Sequence, residues 1–424
     1  MKEYKDSESI RQAYQLAKAN YAKLGVDTDK AMGKAAKIPV SLHCWQGDDV
    51  AGFEGASLSG GGILATGNYP GRARNGEELR KDAEFAFSLI PGTSRFNVHA
   101  LYAETGGKKV PRDELQSEHF ATWISWAKKN KIGLDFNPSF FSHPMADSGY
   151  TLASANKEVQ KFWIRHGIAS RRIAAAMGSA LKNPAVNNIW IPDGSKDLPA
   201  DRRGPRLRLK KALDDILSEP LPAASIIDAV ECKLFGIGSE AYVVGSHEFY
   251  MGYAAAKGIK LCLDMGHFHP TETIADKISS TLMFVPGLLL HMSRGVRWDS
   301  DHVAIFSDDM RDVCREISRQ NAFGAVDIAL DFFDASINRI AAWAIGARSL
   351  RKALLESVLE PIDLILEAEK KGKNHERLAL MEETKTLPFS AVWDAFCEKQ
   401  GVPVGPDWIA KVDEYERTEL SKRA

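Results

Sequence analysis

Lys260-Leu-Cys-Leu-Asp-Met-Gly-His-Phe-His269 opens the stretch that decides the fold. Ile274, Ile278 and Leu282 follow at helical spacing, and Leu288-Leu-Leu-His-Met-Ser-Arg294 completes it. The first and last segments are short, apolar and closed by polar or glycine punctuation, which predicts strands. Between them, apolar residues four apart predict one face of a helix. A strand, a helix and a second strand imply parallel pairing, because the crossover returns the chain to the same end of the sheet.

Outward from there the unit recurs. Strands are predicted at 38–45, 96–102, 132–138, 187–192, 228–235, 260–265, 288–294 and 326–333. Phe120, Trp123, Ile124 and Ala127 repeat the helical spacing, as do Leu209, Leu213 and Ile216. Eight units predict an α/β fold closed into a (β/α)8 TIM barrel. An open doubly wound sheet is the alternative, but no Gly-x-Gly-x-x-Gly turn follows the first strand. The expected domains are an N-terminal helical segment (1–37), the barrel (38–348) as catalytic domain, and a C-terminal helical extension (349–424). Ile10, Ala13, Tyr14 and Ala17 mark one face of the first helix. Leu350, Ala353, Leu354 and Val358, then Trp393 and Phe396, mark the last ones.

Composition narrows the function. The 424 residues carry 55 basic against 56 acidic side chains, so the electrostatic footprint of a nucleic-acid binder is missing. No apolar run approaches the roughly 18–20 residues of a membrane span, and the charged start does not read as a signal peptide. Cys44, Cys232, Cys262, Cys314 and Cys397 are odd in number and form no Cys-x-x-Cys pair. That argues against a disulfide scaffold or a thiolate zinc site and for a soluble protein of a reducing compartment. The loose stretch 47–74 lacks a phosphate-loop pattern and is expected to be a mobile lid.

Barrels of this kind collect their chemistry at the C-terminal ends of the strands. The fifth strand offers Glu231 and Lys233, the sixth and its end Asp264, His267 and His269, and the seventh His291. Asp299 and Asp301 follow, with Trp298 and His302 beside them, and the eighth strand supplies Asp331 and Asp334. A lone carboxylate at a strand end is usually a cap or an ion-pair partner. A set spread over four consecutive units is harder to assign to caps. Carboxylates and imidazoles without thiolates suit Mn²⁺, Mg²⁺, Co²⁺ or Zn²⁺, in two sites or in one with a generous outer shell. Lys233 reads equally as an internal salt bridge or a substrate contact. His43, Trp45, His99, Asn137, His143 and Trp190 gather at the other strand ends. Their aromatic faces and hydrogen-bonding groups suit a polyol, although Trp45 and Trp190 read as well as core aromatics.

Six motifs carry a resemblance to a known family. They are Ser41-Leu-His-Cys-Trp-Gln-Gly-Asp-Asp, Asn188-Ile-Trp-Ile-Pro-Asp-Gly and Glu231-Cys-Lys-Leu-Phe-Gly-Ile-Gly, then Asp264-Met-Gly-His-Phe-His-Pro-Thr-Glu, Val296-Arg-Trp-Asp-Ser-Asp-His and Leu330-Asp-Phe-Phe-Asp-Ala-Ser-Ile-Asn-Arg-Ile. Together they resemble L-rhamnose isomerase from about residue 38 to the C-terminal helices. The resemblance implies a cytoplasmic, homotetrameric aldose–ketose isomerase of L-rhamnose and L-rhamnulose. It implies two divalent metal sites per subunit, Mn²⁺ first, with Zn²⁺ or Co²⁺ as alternatives. Carried over by position, Glu231, Asp264, His291 and Asp331 hold a structural ion, and His267, Asp299 and Asp301 hold a catalytic one. His99, Lys233, Trp190 and Trp45 face the sugar, and His99, Lys233, Asp299 and Asp331 take catalytic roles. A metal-assisted 1,2-hydride shift is the implied reaction. The rival readings are a metal-dependent barrel hydrolase or nuclease, an isomerase of another aldose, and a noncatalytic sugar or metal sensor.

Overall fold

A computed structural model describes residues 4–54, 67–233, 241–269, 271–296 and 299–423, with the backbone alone at 299–301. The barrel strands are Val40–Leu42 (β1), Ser94–His99 (β2), Gly133–Asn137 (β3), Ala185–Trp190 (β4), Ile226–Glu231 (β5), Lys260–Asp264 (β6), Leu288–Met292 (β7) and Val326–Leu330 (β8). Each pairs in parallel with its neighbours in sequence, and β8 closes onto β1 with Ser41 opposite Ala329. The closed eight-stranded barrel stands as expected. Every strand ends before its predicted boundary because the predicted runs included the first residues of the rim, where ladder bonding stops and side chains turn over the mouth.

Period two divides each strand between an outer face against the helices and an inner face along the barrel axis. The inner positions of β4 to β8 are mostly small or apolar: Val186, Ala229, Cys262, Leu289 and Ala329 form a small cluster of their own. On β1 to β3 the inner positions are polar, with Ser41, Asn97 and Asp135 buried. One side of the lumen is thus filled by packing and the other by hydrogen bonds.

Capping explains where the helices begin. Asp27 accepts from the amides of Asp29 and Lys30 to start Thr28–Lys37, and Asn338 accepts from Ala341 to start Arg339–Val358. The N-terminal segment holds two helices, Ser7–Ala22 and Thr28–Lys37, where one is expected. They share a second apolar core with Phe389–Lys399, built on Ile10, Tyr14, Met32, Trp393 and Phe396. The expected boundary at 348/349 falls inside one continuous helix, Arg339–Val358. Its Leu350 and Leu354 pack in the barrel core, whereas Leu355 enters the second core. The helix belongs to both cores, so its apolar pattern carries no break at that point.

At the N-terminal end of the barrel the buried Arg351 donates to the carbonyls of Ile38, at 2.6 Å, and Thr93. It ties the appended helices to the first two strands without a carboxylate. Among the described residues no helix is long and apolar enough to cross a membrane, and all five cysteines are buried and unpaired.

Candidate metal centre

Glu231 ends β5, Asp264 ends β6, His291 lies on β7 and Asp331 follows β8. The register aligns Asp264 with His291 and Ala329 with His291, so adjacent strands deliver their inward side chains to one level. Each of the four offers a ligand atom, and all four atoms lie within 4.8 Å of one another. His291 Nδ1 is 3.1 Å from Asp331 Oδ2, 3.3 Å from Glu231 Oε1 and 3.5 Å from Asp264 Oδ2. The second carboxylate oxygens of Glu231 and Asp264 are held from outside. Asn188 Nδ2 donates to Glu231 Oε2, and Ser293 Oγ (2.7 Å) and the Gly266 amide (2.6 Å) donate to Asp264 Oδ1.

Electrostatics show what this arrangement lacks. Two unit charges 4 Å apart interact by about 4 kcal/mol at an effective dielectric near 20, so three converging carboxylates repel strongly unless a cation lies among them. Burial pushes the Asp331 carboxyl up, against the pull of His291. Burial also opposes the charged form of His291, yet the carboxylates of Glu231 and Asp331, with Asp264, outweigh it and raise the ring well above the usual imidazole range. Glu231 is lowered, burial being outweighed by His291 and His267. Among the described residues, His291 Nδ1 and Glu231 Oε1 are buried and make no hydrogen bond. Lone pairs of carboxylate and imidazole aimed at one point fit a divalent cation, and an all-oxygen-and-nitrogen set is the chemistry such ions take.

The remaining predicted ligands stand as follows. His267 Nδ1 lies 3.2 Å from Glu231 Oε1, beside the cluster. Asp299 and Asp301 lie on a strand, Asp299–His302, that pairs antiparallel with Arg294–Val296. Their side chains, and Trp298, lie outside the described residues, as do 55–66 of the expected lid. His269 is exposed, with Nδ1 2.8 Å from the Thr271 hydroxyl. Asp334 caps the turn after β8, accepting from the Ser336 amide at 2.8 Å, so the ordinary reading of a strand-end carboxylate applies to it.

The ends of β1 to β4 form an aromatic wall. Trp45 stacks on Phe141 at 4.7 Å and meets His99 edge-on at 4.6 Å, while Trp190 stands 6.0 Å away. The buried Lys233 places Nζ 6.0 Å from the Trp190 ring centre. His99 is engaged at both nitrogens, by Asn97 Nδ2 at 3.2 Å and Ser139 Oγ at 3.3 Å, and burial holds its pKa well below the usual value. Asn137 Oδ1 accepts from the Ser139 amide at 2.8 Å. The Trp190 indole N–H is buried and has no acceptor among the described residues. His143, predicted to face a ligand, instead caps the short turn Pro144–Ala146 through Nδ1 and stacks on Phe162. Its histidine type suggested a site, but its position at a turn start made it a cap.

Several neighbours of the cluster escaped the sequence reading. Cys262 lies on β6 beneath the cluster, close to Glu231 and His291, and burial raises its thiol well above the usual range. It remains a thiol rather than a thiolate ligand. Ser293 and Asp135 carry no motif of their own, and Asn188 opens a motif in which no role was assigned to it; a count of polar residues at inward period-two positions would have found Asp135 and Asn188.

The family model of L-rhamnose isomerase (RhaA) matches residues 8–423. A protein named L-rhamnose isomerase from Rhodopirellula baltica is 57% identical over 417 residues, covering 98% of this chain and 97% of that one. Those from Yersinia pseudotuberculosis and Yersinia pestis are each 56% identical over 416 residues, covering 98% of this chain and 99% of theirs. By the length and closeness of that match, over the barrel and both helical extensions, the chain belongs to the L-rhamnose isomerase family.

Proposed function

We propose that this chain interconverts L-rhamnose and L-rhamnulose as a metal-dependent aldose–ketose isomerase. The convergence of Glu231, Asp264, His291 and Asp331 on one buried point carries the reading, together with membership of the family. These four residues would hold the structural ion, and His267, Asp299 and Asp301 the catalytic one. Mn²⁺ is the first choice, with Zn²⁺ or Co²⁺ as alternatives. A bound divalent ion supplies Lewis acidity to neighbouring sugar oxygens, worth several kcal/mol in reactions of this class.

The chain's own groups do the rest. The Trp45–Phe141–Trp190 wall offers an apolar surface to one face of the sugar and excludes water from the reacting carbons. The unsatisfied Trp190 N–H suits a sugar hydroxyl, and Lys233 above that ring suits a developing negative oxygen. His99, held by Asn97 and Ser139, orients the open chain. In the forward direction the hydrogen on C2 moves with its bonding pair to C1, which is reduced while C2 is oxidised. The C2 hydroxyl gives up its proton and the C1 oxygen gains one. Asp331 and Asp299 are the carboxylates assigned to that proton. A cytoplasmic homotetramer completes the reading.

Metal-stripped protein is assayed for ketose formation from L-rhamnose, in D₂O, while Mn²⁺, Co²⁺, Mg²⁺ and Zn²⁺ are restored in turn. Activity should vanish on stripping and return with Mn²⁺, leaving little carbon-bound deuterium in the product. Turnover indifferent to stripping, or no ketose with any metal, overturns the proposal. Extensive deuterium at carbon overturns the direct transfer.

A further inference from the structure

Behind His291 a chain of polar groups crosses the lumen to the far wall of the barrel. His291 Nε2 lies 2.9 Å from His43 Nδ1, just past β1. His43 Nε2 faces Asp135 Oδ2 on β3 at 3.6 Å. Asp135 is then fixed by four donors: Ser41 Oγ at 2.6 Å, the Val186 amide at 2.8 Å, and Arg95 through Nε at 3.0 Å and Nη2 at 2.7 Å. His43, Asp135 and His291 are all buried. Arg95 holds Asp135 far below the usual carboxylate range despite its burial, so the far end of the chain is a permanent negative charge.

That charge fixes the polarity of every link. A carboxylate only accepts, so the nitrogen of His43 that faces it, Nε2, carries the hydrogen. At 3.6 Å the contact is too long for a hydrogen bond, but a lone pair aimed at a buried carboxylate would be repelled, and the ring chooses accordingly. His43 Nδ1 is then an acceptor and His291 Nε2 must donate to it. In the neutral ring that binds metal, the lone pair of His291 is left on Nδ1, the atom aimed at the three carboxylates. A divalent cation bound there takes the place of the proton that those carboxylates otherwise favour on Nδ1.

We propose that His43, set by Asp135, is a positioning residue that fixes the tautomer and ring angle of His291 and so raises the affinity of the cluster for a divalent cation. The inference rests on reading the cluster as a metal centre and not on the identity of the sugar. The partner of a metal-binding imidazole typically changes metal affinity by about 10- to 100-fold when removed.

The test is calorimetric titration of metal-stripped wild type, H43F and H43N with Mn²⁺, alongside the thermal midpoints of the metal-free proteins. H43F keeps a planar ring and removes the acceptor; its Mn²⁺ affinity should fall by about 10- to 100-fold, with the metal-free midpoint near wild type. In H43N the amide oxygen can accept from His291 Nε2, and most of the affinity should return. A merely structural role would lower the metal-free midpoint and leave the affinity of folded protein unchanged. The proposal is overturned if folded H43F binds Mn²⁺ within about two-fold of wild type, a change well below the usual effect of such partners. It is equally overturned if H43N is no better than H43F, or if wild type binds no Mn²⁺. Should H43F not fold, D135N carries the test, with a loss near the lower end of that range expected and unchanged affinity counting against the relay. Wild type that binds Mn²⁺ in a His43-dependent way yet fails to turn over L-rhamnose supports the relay and removes only the proposed substrate.

Discussion

The two halves of the barrel mouth are built from the same kind of strand end and behave oppositely. At the ends of β5 to β8, Glu231, Asp264, His291 and Asp331 crowd like charges together and leave buried ligand atoms without hydrogen bonds. At the ends of β1 to β4, His99 is engaged on both sides by Asn97 and Ser139, and Asn137 is capped by the Ser139 amide. That second half is complete apart from a few atoms such as the Trp190 N–H. The contrast teaches how binding work is divided: charge left uncompensated by the fold calls for an ion, while a stiff, satisfied wall gives shape and orientation to a neutral ligand. It also explains why His43 matters, since it is the link through which the satisfied half reaches His291.

The contrast can be broken most severely by Glu231→Gln. An amide N–H₂ replaces a charge at the centre of the acidic half, and activity should fall by at least about 100-fold with loss of bound Mn²⁺, read by metal analysis after dialysis. Activity near wild type would place the ion elsewhere. A milder change sharpens the other half. Trp190→Phe keeps an aromatic face and deletes the unsatisfied N–H; the loss of one hydrogen bond, about 0.5–1.5 kcal/mol, predicts a KM for L-rhamnose raised roughly 2- to 13-fold. Turnover and Mn²⁺ affinity should hardly move, and a collapse of kcat would assign the indole a different role.

The smallest effect concerns the buried Asp193, three residues past Trp190. It accepts from the Thr151 amide and hydroxyl and the Ala153 amide, yet burial still pushes its carboxyl up to about 6 from 3.8. Between those values the folded protein keeps a proton that the unfolded chain has lost, so this residue's contribution to stability falls as pH rises from 4 to 6 and is flat above. Thermal midpoints of wild type should therefore carry a decline of a few degrees across that window that Asp193→Asn removes. Parallel profiles for the two proteins would contradict it.

All eight barrel strands were legible because strands buried on both faces read as short apolar runs, and the parallel rule then fixes their order. The clustered ligands were legible as residue types at strand ends. The ribbons Gly194–Ser195 with Tyr242–Val243 and Arg294–Val296 with Asp299–His302 were not, since a pairing of two to four residues leaves no periodic signal. The second core was invisible for another reason: the apolar stripe of Ser7–Ala22 says that the helix packs, not that it packs on Trp393 and Phe396. His143 misled because a histidine caps a turn as readily as it faces a ligand.

By itself the sequence determined the strand–helix rhythm, the kind of atoms gathered at the rim and the family, because these depend on residue type and near spacing. Only the tertiary structure decided that His291 meets His43 and that Asp135 stands behind it. β1 and β3 are not paired neighbours, and contacts across a closed lumen follow from the radius and tilt of the whole barrel, which no local stretch of chain encodes.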